Sequence, residues 1–206
     1  MVENSKTNFD FLFYLMKYQT SFFNQAKLSA FKLTYIQGRA SMDALENKTY
    51  DEISIGDQCV YEKTLTESDL VLFAAVSGDV NPVHLDENFA RESMFKERIA
   101  HGMWSGSLVS ATLATVMPGP GTIYLSQSLN FLRPVKLGDT LSVKLTAKEK
   151  NDERNTVIFD CDVINQNKKQ VLVGEAKVIA PTEKIIIDRP QLPNITIGNI
   201  PQSEVA

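Results

Sequence analysis

Two histidines, two cysteines and one tryptophan are all that 206 residues hold of those three types. Cys59 and Cys161 lie far apart with no Cys-x-x-Cys, which excludes a disulfide-dense scaffold and a zinc ribbon; both read as reduced, buried strand thiols. Lysine and arginine form no cluster and the net charge is −4, so no attraction to nucleic acid or anionic lipid is expected. No apolar run is long enough to span a bilayer. The apolar patch Phe9–Met16 is broken by Asp10 and lacks a basic leader or cleavage site, so the expected location is the cytoplasm. A further absence is local: from Ile99 to Leu132 there is no Asp, Glu, Lys or Arg. Inside that span GMWSGSLVSATLATVM is small or apolar on every face and is stopped by PGPG, which predicts a helix buried on all sides.

What is present, 43% hydrophobic and 22% charged residues, suits a globular domain with enough chain to bury a core. Residues 1–46 contain a proline- and glycine-free stretch from 8 to about 36, with Phe9, Leu12, Phe13, Met16, Phe23 and Ala30 at helical spacing. They read as an amphipathic helical arm that docks on its own dimer or on a granule or protein surface. TESDLVLFAAVSG predicts a short helix with Thr66 as its cap and Gly78 as its stop. After the buried helix come four β-rich runs separated by LGD, KNDER and NQNKK. The fold class expected is α+β, an antiparallel sheet wrapped about one buried helix, over residues 47–181. Residues 182–206, with Pro190, Pro193 and Pro201, read as a linker-like tail.

Chemistry concentrates in FAAVSGDVNPVHLDENFA. On a continuous helix Asp79 and His84 would stand roughly 140° apart around the axis. Gly78 and Pro82 favour a loop instead, in which a carboxylate and an imidazole can share one water and exchange protons near neutral pH. Asn81, by side chain or backbone, can orient the carboxylate. The second histidine, His101, opens IAHGMW within eighteen residues of the first. Gly102 follows at the start of the buried helix, where an outward N–H suits an oxyanion. The same residues also admit a purely structural reading, a capped tight turn followed by a hydrogen-bonded spacer. A metal site is not expected, because HLD offers one imidazole with no spaced partner.

FAAVSGDVNPVHLDENFA, IAHGM and PGPGTIYLSQSLNFLRPVKLGDTL together resemble the MaoC-like, (R)-specific enoyl-CoA hydratases of the hotdog fold, over Lys48 to Ala180, about two thirds of the chain. The resemblance implies reversible syn addition of water to a trans-2-enoyl-CoA, without a metal or redox cofactor; CoA enters only as part of the substrate. It implies that Asp79 and His84 form the catalytic pair, Asn81 is structural, Gly102 polarises the thioester carbonyl through its N–H, and Ser110 stands beside the water. It further implies at least a homodimer, with the site at the subunit boundary. The arm departs from the minimal hydratase, and the catalytic region is also like the hydratase half of proteins fused to a phosphate acyltransferase. Two competing readings are a hotdog thioesterase, which the absence of an acid on the buried helix argues against, and a non-catalytic hotdog scaffold or targeting protein.

Overall fold

In the computed structural model residues 44–198 are described. The expected helical arm lies outside these residues, apart from the last three of its span. The strands are β1 (Ala44–Glu46), β2 (Gln58–Thr64), β3 (Ile123–Phe131), β4 (Thr140–Asn151), β5 (Thr156–Asn165), β6 (Gln170–Ile179) and β7 (Ile186–Asp188). The helices are α1 (Glu67–Ser77), α2 (Pro82–Leu85), α3 (Glu87–Glu92) and α4 (Gly102–Thr115), with a 3₁₀ turn at Tyr50–Glu52.

Five strands form one antiparallel sheet in the order β2-β4-β5-β6-β3. Alternation in β4 sends Leu141, Val143, Leu145 and Ala147 to one face, and β5 adds Val157, Phe159, Cys161 and Val163 to the same core. Helix α4 lies against β4 and β2 and contributes Trp104, Leu108, Val109 and Leu113. At 100° per residue those positions make one apolar face, which is why an uncharged segment beside alternating strands folds as a helix on a sheet. Strand β3 is fixed to the edge by a close approach: a Cβ on Gly174 of β6 would lie 1.9 Å from the Ser128 carbonyl oxygen. This contact places Phe131, at the end of β3, near the start of α4.

Two expectations need correction. Helix α4 is not enclosed on every side: Met103, Ser107, Ser110 and Ala114 form an exposed stripe, because the sheet covers only part of its circumference. The stretch read as a tail also begins inside the fold. Strand β7 pairs antiparallel with β1, and buried Asn47 fastens it: its Nδ2 donates to the carbonyls of Pro120 and Glu183, and its Oδ1 accepts from the Ile185 N–H. The strand signal of Ile185–Ile187 was masked by the prolines that follow. Cys59 and Cys161 are both free thiols, and burial pushes each up to about 11.

Candidate active site

The site begins where α1 ends. Thr66 and Asp69 form a reciprocal capping box at its start, and Gly78, with φ 75°, turns the chain out of it in the left-handed conformation that glycine adopts without steric cost. In the loop that follows, the Asp79 N–H donates to Ser77 Oγ (3.2 Å), and Asp79 Oδ1 accepts from the Asn81 N–H (3.2 Å). It is thus the backbone of Asn81 that orients the carboxylate. The Asn81 side chain does another job, accepting from the Val83 N–H (3.3 Å) as the cap of α2, with Pro82 preset at the first helical position.

His84 stands on that single turn of helix, buried at 7% exposure. Its Nδ1 is 2.9 Å from the Ile99 carbonyl oxygen. A carbonyl only accepts, so Nδ1 carries the proton and Nε2 keeps a lone pair. Nε2 is 3.9 Å from Asp79 Oδ2, beyond direct hydrogen bonding, and a water bonded to both atoms fits the gap. Burial is the largest influence on the His84 ring and holds its pKa below the ordinary 6.5; the nearby His101 acts in the same direction, while the Ile99 carbonyl and the Asp79 carboxylate oppose it.

His101, immediately before α4, lies against both partners. Its ring centroid is 3.8 Å from that of His84 at 30° between planes, and 5.1 Å from Phe73 on another side. Gly102 is the first residue of α4. A cavity of about 330 Å³ opens in front of these groups, with His84, His101, Gly102, Ser105, Phe131 and Arg133 in its wall. A Cβ on Gly102 would sit 3.4 Å from the Phe131 ring, so the glycine leaves the helix start open to the cavity.

The residues named from the sequence therefore converge in part. His84 and Gly102 stand in the cavity wall with Asp79 and Asn81 on the loop beside His84, whereas Ser110 is exposed on the open stripe of α4 and is not in the cavity wall. Ser105 takes the wall position on α4, and His101 joins the cluster. One signal for Ser105 lay in the sequence, since it follows His101 by four residues and so shares its side of the helix.

One ligand atom each from Asp79, His84 and His101 lies within 4.8 Å of the others, a two-histidine, one-carboxylate set that the expectation of a single imidazole overlooked. Stacking works against coordination. Imidazole lone pairs lie in the ring plane, and two planes at 3.8 Å and 30° send them side by side rather than to one point.

Residues 54–168 match the model of the MaoC-like domain family. An (R)-specific enoyl-CoA hydratase of Rhodospirillum rubrum is 43% identical over 143 residues, which are 68% of this chain and 97% of that protein. A 3-hydroxybutyryl-CoA dehydratase of Methylorubrum extorquens is 40% identical over 66% of this chain and 85% of its own length. Among solved structures, the R-hydratase PhaJ1 of Pseudomonas aeruginosa superposes with a TM-score of 0.73 at 54% identity, covering 75% of this chain and 99% of that one. The family match spans more than half of the sequence and the relatives are covered almost whole, so this chain belongs to the MaoC-like dehydratase family, hydro-lyases built on the hotdog fold.

Proposed function

We propose that the chain catalyses the reversible syn hydration of trans-2-enoyl-CoA to (R)-3-hydroxyacyl-CoA, with Asp79 and His84 as a coupled acid–base pair and the Gly102 N–H as oxyanion donor. The observation that carries this reading is the His84 ring: Nδ1 is tied to Ile99 and Nε2 faces Asp79 across 3.9 Å, in a cavity whose wall includes the first residue of α4. Water held by the pair adds its oxygen to C3 while its proton passes to the pair. The C2–C3 π electrons move toward the thioester carbonyl, whose oxygen takes up enolate charge. A proton from the pair then reaches C2, and the carbonyl is restored. One C–O bond and one C–H bond form for one O–H bond and one π bond lost, so no redox partner or metal is required.

The helix start supports the anionic stage in two ways. Gly102 is among the first residues of α4, whose N–H groups lack intrahelical acceptors, and the positive end of the helix dipole lies there. An oxyanion contact of this type contributes about 3 kcal/mol.

The expected assembly is a homodimer, a reading supported by two surfaces that are open among the described residues. Strand β3 is an edge of the sheet and exposes Ile123, Tyr124, Leu125 and Phe131. The uncharged stripe of α4, with Met103 at 57% exposure and Ser110 within it, is also open. A second copy would cover both, and equilibrium sedimentation at micromolar concentration is expected to give twice the chain mass; a monomer would reject the dimer. The catalytic reading is tested by the loss of enoyl-thioester absorbance with crotonyl-CoA. Asp79→Asn and His84→Gln should each lower kcat by about 100-fold or more, with unchanged circular dichroism. Near-full turnover in either folded variant would reject the pair.

A further inference from the structure

His101 is 2% exposed, and its Nδ1 has no hydrogen-bond partner among the described residues. Its other nitrogen, Nε2, is 2.9 Å from the main-chain carbonyl oxygen of Asp79. Since that carbonyl can only accept, Nε2 must carry the proton, and Nδ1 is then a bare acceptor in the neutral ring. The opposite tautomer would bury an N–H without an acceptor and set a lone pair against a carbonyl oxygen, the costlier arrangement on both counts. Packing a histidine here at the expense of one unpartnered nitrogen calls for a purpose beyond filling space.

The hydrogen bonds of the catalytic loop supply one. Asp79 is bonded locally to Ser77 Oγ and to the Asn81 N–H, two residues away on either side, and such bonds travel with the loop. Its side chain is half exposed, at 51%. Among the described residues, the hydrogen bond that reaches Asp79 from outside the loop comes from His101. The two residues before His101 complete the pattern. Ile99 holds His84 through its carbonyl, and Ala100 is bonded by its N–H to the Val135 carbonyl at 2.7 Å. Four consecutive residues, Ile99 to Gly102, therefore fasten His84, anchor to the body of the fold, fasten Asp79 and present the helix start.

We propose that His101 is a positioning residue of the hydration site: its Nε2–H fixes the Asp79 main chain and its ring backs His84, so that one short segment sets the spacing of acid, base and oxyanion donor. The role in turnover rests on the hydratase reading; the tautomer and the contact do not. His101 touches the reacting atoms through neither nitrogen, so its effect appears in the rate of the chemical step and not in substrate affinity.

Three samples of the full chain test this: wild type, His101→Phe, which keeps a flat ring and loses the donor, and His101→Gln, whose amide N–H reaches about as far as Nε2. With crotonyl-CoA, His101→Phe is expected to lose up to about 100-fold in kcat with KM nearly unchanged, the scale of a misplacement near 1 Å. His101→Gln is expected to recover most of that loss. A His101→Phe protein with wild-type kcat, or a folded His101→Gln protein no better than His101→Phe, would overturn the proposal. Nitrogen-15 NMR of the wild-type histidines at pH 8 provides a test independent of turnover and of variant folding. A protonated Nε2 and a bare Nδ1 at His101 are expected; the reverse tautomer would overturn the contact. Wild-type protein inactive on every enoyl-CoA, yet showing the expected tautomer, would reject the hydratase reading while leaving the Asp79 contact in place.

Discussion

The surroundings of His84 disfavour its charged form. Burial outweighs the carboxylate beside it, so the pKa of the ring lies below 6.5 in the folded chain. The sign for stability follows from proton uptake: below pH 6.5 the unfolded chain protonates this histidine before the folded chain does. The contribution of His84 is complete above pH 6.5 and is lost as pH falls through the lower folded-state value. For activity, the acid limb of kcat/KM is expected below pH 6.5, as an apparent value of the coupled pair; a limb at or above 6.5 would contradict it. Because the Asp79 carboxylate opposes the downward shift, Asp79→Asn should move the His84 titration to still lower pH, readable by NMR. The placing of Asp79 and His84 on one loop and of Gly102 at a helix start was legible in the sequence because Gly78 and Pro82 signal a turn and the uncharged run after His101 signals a helix. His101 was visible only as a spacer, since ring stacking across 3.8 Å joins residues that no sequence period relates. Ser110 was carried over by resemblance alone, and the exposed stripe of α4 is where it falls.

At the scale of elements, the site depends on short pieces with well-defined ends. Asn81→Ala removes the cap of α2 and should cost about 1 kcal/mol of stability. The same change loosens the turn that carries His84, so the fall in kcat should exceed what partial unfolding explains; parallel thermal melts and rate assays separate the two. Asn81→Asp, which keeps an acceptor at the cap, should retain the stability. In the sheet, Gly174→Ala drives a Cβ into the Ser128 carbonyl and is expected to destabilise the chain by about 3 kcal/mol in urea denaturation, since the atoms it meets are backbone and no flexible group can yield. The strands β4 to β6 were readable from alternation and turn residues. Strand β7 was not, because a three-residue strand followed by prolines carries less local signal than the linker composition around it, and only its pairing with β1 and the Asn47 hydrogen bonds reveal it.

The described residues bring the loop that carries His84 and the start of α4 to one cavity, and among them a sheet edge and a helix stripe are exposed. No helix among the described residues is long and apolar enough to cross a membrane. The core joins helix and sheet through residues such as Leu113 and Phe159, both fully buried. Phe159→Ala should cost about 3–5 kcal/mol. Asp79 and His84 stand 3.9 Å apart and His84 shares the cavity wall with Gly102, so the proposed mechanism delivers water and proton to the substrate from the same side, as a syn addition. Hydration of crotonyl-CoA in deuterium oxide, with the product configuration at C2 and C3 resolved by NMR, tests this most directly. The account predicts (R)-3-hydroxybutyryl-CoA carrying one deuterium at C2 on the face that received the oxygen, with product formation nearly lost in His84→Gln. An S product, anti delivery of deuterium, or undiminished turnover in His84→Gln would contradict it.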